Sequence, residues 1–158
     1  MVVVVIVAII AVAVTLSFGA RGFDPQLDEH GRRLATLLEL AGEEATLQAR
    51  EYGIEFHRGG YLFHAYEPDV GEWLSLADDR LLRARALPQG AQLELRVEGR
   101  DASLPDGPRD TPRPQVLLLS SGEITPFRAV LSRGGPDRLI ITADAAGRVE
   151  TERETRGR

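Results

Sequence analysis

His57 and His64, followed by Asp78 and Asp79, are the residues of this chain whose types come nearest to a metal site. Imidazole and carboxylate together suit zinc and its neighbours, but a site needs three or more ligands at fixed geometry. Two histidines on adjacent predicted strands do not meet that, so they read as strand-surface residues. Ser120 and Ser121 stand beside Glu123 and could suggest a nucleophile. No G-x-S-x-G elbow surrounds them, and Ser-Ser-Gly-Glu carries the residue types of a turn. Asp101, Asp106 and Asp110 could bind calcium from a loop, yet their spacing is not that of a calcium loop. The sequence has no P-loop, dinucleotide fingerprint or H-E-x-x-H. It has no Cys, which excludes disulfides, thiolate metal sites and thiol nucleophiles. No enzymatic role, metal or cofactor is expected.

Charge narrows the partners. The 19 basic residues, all Arg, stand against 24 acidic ones, for a net charge of -5. Mild acidity with interspersed signs leaves no electrostatic footprint for nucleic acid. A length of 158 residues suits one domain with an appendage.

The appendage is the beginning. Val2 to Phe18 is uncharged, and 12 of those 17 residues are Val, Ile, Leu or Phe. As a helix it spans about 25 Å, against a hydrocarbon core of about 30 Å. Its apolar residues favour insertion by about 4 to 7 kcal/mol. The run is too long for a buried strand. A cleaved signal peptide is the nearer rival, with Ser17-Phe18-Gly19 offering small residues for cleavage, but no basic region precedes the apolar core. The expectation is a retained membrane helix with Val2, Val5, Ile6, Ile9, Ile10, Val14 and Leu16 along it. The positive-inside rule finds Arg21, Arg32 and Arg33 after the helix and nothing before it. Taken literally, that places the C-terminal part in the cytoplasm, unless basic residues precede Met1.

Next comes a head. Asp24-Pro25 is an N-cap followed by Pro at the first helical position, predicting a second helix from Pro25 to about Tyr52. Leu34, Leu37, Leu38, Ala41, Ala45 and Tyr52 recur at helical spacing as one apolar face. At Gly53 the period changes to two. Ile54 and Phe56 alternate with Glu55 and His57, Gly59-Gly60 turns the chain, and Tyr61 to Tyr66 returns. Further strands are predicted at Trp73 to Leu76 and Leu93 to Val97. Two later pairs flank the turns Ser121-Gly122-Glu123 and Asp144 to Gly147. The Pro/Asp/Arg stretch between Gly99 and Pro114 has few apolar residues and is expected to be mobile; the tail after Thr151 is expected to fray. The expected core is Leu34, Leu38, Ala41, Ala45, Tyr52, Phe56, Phe63, Trp73, Leu95 and Phe127. The fold class is α+β: a long N-terminal helix, apolar in its first half and one-sided in its second, packed on antiparallel sheets. The division is an apolar helix over 1–22, a head over 23–152 (helix 25–52, strands 53–152) and a charged tail over 153–158.

The order of several blocks is distinctive. Tyr52-Gly53-Ile54-Glu55-Phe56, Gly60-Tyr61-Leu62-Phe63, Trp73 to Asp79, Leu87-Pro88-Gln89-Gly90, and Ser120-Ser121-Gly122-Glu123-Ile124-Thr125-Pro126-Phe127 together resemble the minor pseudopilin H of type II secretion systems. The likeness runs from the apolar helix to about Gly147. It implies a pilin-like subunit of a periplasmic pseudopilus that helps export folded proteins across the outer membrane. The location implied is the inner membrane, single-pass, with a periplasmic C-terminal head. Implied partners are other major and minor pseudopilins through the N-terminal helix, the inner membrane and secreted cargo. Family members are made with a basic leader, cut by a prepilin peptidase before Phe-Thr-Leu-Ile-Glu-Leu and methylated at the new N-terminus. Here the leader, the cleavage Gly and that Glu are absent, so the expectation is that the chain opens within the family's helix. A peptidase would act only on a full-length precursor. Two other readings stay open at this stage: a minor pilin of a type IV pilus or DNA-uptake system, and a membrane-anchored extracytoplasmic binding module. The latter would use His57, His64 or the 99–114 loop.

Overall fold

The computed structural model describes residues 23–155, so Val2, Val5, Ile6, Ile9, Ile10, Val14 and Leu16 lie outside the described residues. Among those described, no helix is long and apolar enough to cross a membrane.

Helix α1 spans Pro25–Gln48. The Asp24 carboxylate caps it, accepting from the backbone N–H groups of Gln26 (2.9 Å) and Leu27 (3.4 Å). Burial alone raises the Asp24 carboxyl, but hydrogen bonds from Arg133, Gln26 and Leu27 outweigh it and hold the group below the usual carboxylate range. The helix stops four residues before Tyr52, short of the expected end. Ala49 turns into the left-handed region (φ 49, ψ 42), and Arg50 N–H reaches back to the Ala45 carbonyl at 3.0 Å. This C-terminal cap frees Tyr52 to begin a strand while keeping its ring under the helix. Leu27, Gly31, Leu34, Leu37, Leu38, Ala41 and Ala45 form the buried stripe. Each large aliphatic side chain on it stabilises the fold by roughly 1.5–3 kcal/mol.

Two antiparallel sheets carry the rest. The first joins β1 (Tyr52–His57), β2 (Gly60–Glu67), β3 (Glu72–Ser75) and β7 (Val116–Leu118) in the order β3-β2-β1-β7, and β4 (Arg85–Ala86) pairs with the start of β2. The second contains β5 (Gln92–Val97), β6 (Arg100–Asp101), β8 (Phe127–Ser132), β9 (Asp137–Ala143) and β10 (Val149–Thr155), in the order β10-β9-β8-β5-β6. Helix α1 packs mainly on β9 and β10 and also touches β1, β7 and β8, so it bridges both sheets. Phe56 meets Tyr61 and Phe127 in tilted ring contacts at about 6 Å, tying the sheets together.

Several expectations change. The two strands flanking the Ser121-Gly122-Glu123 turn are expected beside each other, but they belong to different sheets. They meet around the Leu118–Ile124 bridge, with Thr125 N–H donating to the Leu117 carbonyl at 2.9 Å, while β7 lies in the first sheet and β8 in the second. Trp73 is half-buried at the sheet edge against Tyr66, 5.3 Å between ring centroids. Leu34, Leu38, Ala41, Ala45, Tyr52, Phe56, Phe63, Leu95 and Phe127 are all buried. The 99–114 stretch is held in place. Ala102 and Leu104 pack on the core, and Arg58 N–H donates to the Pro105 carbonyl at 2.9 Å. The chain beyond Thr151 continues as β10 to Thr155, paired residue for residue with β9.

Candidate assembly surface

The residues considered for chemistry are placed apart. His57 sits opposite Gly60 at the β1–β2 turn, whereas His64 faces Gly53 at the other end of the ladder. Among the described residues no group of three His, Asp or Glu is arranged to hold a metal ion. Ser120 serves as an anchor, its N–H and hydroxyl donating to the Glu51 carboxylate at 2.9 and 2.8 Å.

Glu55 and His64 are what periodicity misassigns. Alternation along β1 puts Glu55 on a wet face, yet both it and His64 are buried. The 99–114 stretch crosses that face, and Glu55 is what it binds. The carboxylate accepts from the backbone N–H groups of Arg109 and Arg113, both at 3.2 Å, and from the Arg109 guanidinium at 3.4 Å. His64 Nε2 lies 3.2 Å from Glu55 Oε2, an ion-pair distance without the alignment of a full hydrogen bond. Burial pushes the His64 imidazole below its ordinary value, more than the neighbouring carboxylate raises it. Gly53 completes the seal, since a Cβ there would lie 2.5 Å from Pro114. This cluster is closed: its charges are paired internally and it fastens a loop to a sheet.

An open feature lies along the helix. A groove of about 570 Å³ runs between the C-terminal half of α1 and two turns. Gly42, Thr46 and Leu47 of the helix form one wall, with Leu38 beneath them. Leu118, Ile124 and Val149 supply apolar floor, and Gly122, Glu123, Ala146 and Gly147 form the opposite rim. Leu47 is 81% exposed, the most exposed large apolar side chain among the described residues.

Local chemistry shapes that rim. Gly122 adopts φ 89, and its N–H donates to the Leu119 carbonyl at 2.9 Å while Leu119 N–H donates to Glu123 O at 2.8 Å. Ser121 and Glu123 are exposed on this tight turn. The β9–β10 turn closes on the Asp144 carboxylate, which accepts from Ala146 and Arg148 N–H, both at 3.0 Å. The two turns abut so closely that a Cβ at Gly147 would lie 2.7 Å from the Gly122 carbonyl oxygen. Sequence reasoning finds the Ser121-Gly122-Glu123 turn but misses the groove, because its walls come from three separated segments.

Comparison with known proteins gives the surface its context. Residues 30–147 match the family model described as type II transport protein GspH. The chain is 33% identical to the type II secretion system protein H of Pseudomonas aeruginosa, over 97% of this chain and 92% of that protein. Its identity with the protein of the same name from Aeromonas hydrophila is 30%, over 91% and 84%. Among solved structures, the minor pseudopilin EpsH of the Vibrio cholerae type II secretion system matches with a TM-score of 0.69 at 23% identity. That match covers 85% of this chain and 98% of EpsH. Escherichia coli GspH matches with a TM-score of 0.62 at 22% identity, over 81% and 88%. With the family model spanning most of the head and curated relatives aligning along nearly the whole chain, this protein belongs to the GspH family of type II secretion proteins.

Proposed function

We propose that this chain works as a minor pseudopilin, a structural subunit of the type II secretion pseudopilus that helps move folded proteins across the outer membrane. In this reading the apolar stretch before Phe23 holds the subunit in the inner membrane and packs among the helices of other pseudopilins after assembly, with the head in the periplasm. A precursor carrying the family's leader would be the substrate of the prepilin peptidase and be methylated at the new N-terminus. The work of the head is mechanical: it presents surfaces to neighbouring subunits and to cargo.

The observation that carries this reading is the family match over residues 30–147, on a head whose one long helix spans both sheets. That construction supports a load-bearing subunit, because force along α1 reaches every layer of the core. The clamp at the helix start supports it too. Arg133 pairs with Asp24 at 2.8 Å, Asp24 N–H donates to Asp137 at 3.0 Å, and Arg153 pairs with Asp28 while lying over the Phe23 ring.

The test is deletion of the gene in its own organism. Loss of folded exoproteins from the medium, their retention in the periplasm, and restoration by the full chain would support the reading. Normal export after deletion would overturn it. A defect confined to surface pili or DNA uptake would move the subunit to a type IV system.

A further inference from the structure

We infer that the groove beside Leu47 is the seat of a neighbouring subunit's segment in which an aliphatic side chain stands next to Arg or Lys. This rests on the pseudopilin reading above and names the chemistry of one contact within it. The apolar part is direct: Leu38, Leu118, Ile124 and Val149 lie at the bottom of an open groove, with Leu47 projecting beside it. An aliphatic side chain that enters gains contact area and loses water.

The rim decides what flanks that side chain. Glu39, Glu43 and Glu123 all line the groove and are all exposed. None takes part in an ion pair among the described residues. Arg148, the cation nearest in sequence to this rim, turns to Asp144 instead. Elsewhere on the same helix, Asp28 and Glu29 each have arginine partners. A groove with apolar floor and three unpaired carboxylates is complementary to a greasy side chain with basic neighbours, and repels an acidic one.

The described end of the chain is led away from the groove. β10 leaves the groove at Val149 and runs to Thr155 opposite Asp137, beside the start of α1. From Asp28 to Gly42 the helix rises about 21 Å. The stretch Val2 to Phe18 is uncharged, so seating it here would cover the carboxylates without pairing them.

The experiment uses the full chain in cells carrying its secretion system. A photo-crosslinking amino acid replaces Leu47, and the joined segment is mapped by mass spectrometry. The expected product is a pseudopilin segment with Leu, Ile, Val or Met within two residues of Arg or Lys. Changing Glu39, Glu43 and Glu123 together to Gln should lower its yield about tenfold, which is what three exposed ion pairs are worth together. Glu43→Arg paired with an acidic replacement of the partner's cation should restore it. Gly42→Trp, which fills the groove without changing its charge, should abolish the product while the head keeps its circular dichroism. A mapped segment without a cation, or a yield indifferent to the triple change, overturns the inference while export by the wild-type chain keeps the pseudopilin reading. Failure of the wild-type chain to restore export removes both.

Discussion

The two halves of α1 treat the same residue types in opposite ways. Near its start every carboxylate is engaged: Asp24 with Arg133, Asp28 with Arg32 and Arg153, Glu29 with Arg33. Its glycine there, Gly31, is buried, and a Cβ at that position would overlap Leu139. In the second half Glu39 and Glu43 line the groove and take part in no ion pair among the described residues. The second glycine, Gly42, has room, since a Cβ there would lie 3.9 Å from Leu118 Cδ2. The first half is finished by intramolecular contacts and the second is left with chemistry to offer. Paired charge and filled volume mark structure; unpaired charge beside apolar floor marks a surface kept for another molecule.

The sharpest way to break this contrast is at Glu55, the extreme of paired charge. Glu55→Ala should cost about 3–5 kcal/mol in urea unfolding, because two backbone donors, a guanidinium and a buried imidazole lose their shared partner. A loss under 1 kcal/mol would show that the cluster is not a fastening. Gly31→Ala should cost about 1–3 kcal/mol by overpacking against Leu139, which is buried and cannot swing clear. Asp24→Ala should cost about 1 kcal/mol from the lost cap, seen as a lower urea midpoint.

That Asp24 contribution also carries a pH signature. The folded-state pKa is lowered, so the unfolded chain binds its proton first as pH falls. The stabilisation is complete above the unfolded value of 3.8 and is lost as pH drops through the folded one. Asp24→Asn should flatten the stability curve in that window, and an unchanged curve would deny the carboxylate its role. In the open half the sign reverses. Gly42→Ala should raise stability by about 0.5–1 kcal/mol, since a helix gains a better former and nothing is crowded. Smallest of all, Glu39→Gln and Glu43→Gln should each change thermal stability by less than about 0.5 kcal/mol. A larger loss would mean that these carboxylates have structural work after all.

Much of the fold was legible because its signals are local. Asp24-Pro25 announces a helix start, Gly59-Gly60 a hairpin, and the period change at Gly53 a passage from helix to sheet. The end of α1 was less legible: Tyr52 keeps the apolar spacing, but a left-handed Ala49 is not a usual stop signal. Glu55 misled for a different reason. Its alternation is that of an exposed residue, and what buries it arrives from more than fifty residues away. The low apolar content of 99–114 suggested mobility, yet this stretch is secured by its backbone N–H groups, which composition does not display.

By itself the sequence determined the α+β class, the turns, the apolar opening and, through the order of its blocks, the family. Those properties depend on neighbours in the chain or on residue order alone. Only the tertiary structure decided which carboxylates are satisfied and which are not, and that a groove opens where α1 passes the 121–124 and 144–147 turns. Both depend on distances between segments remote in sequence, and pairing of charge is a property of distance.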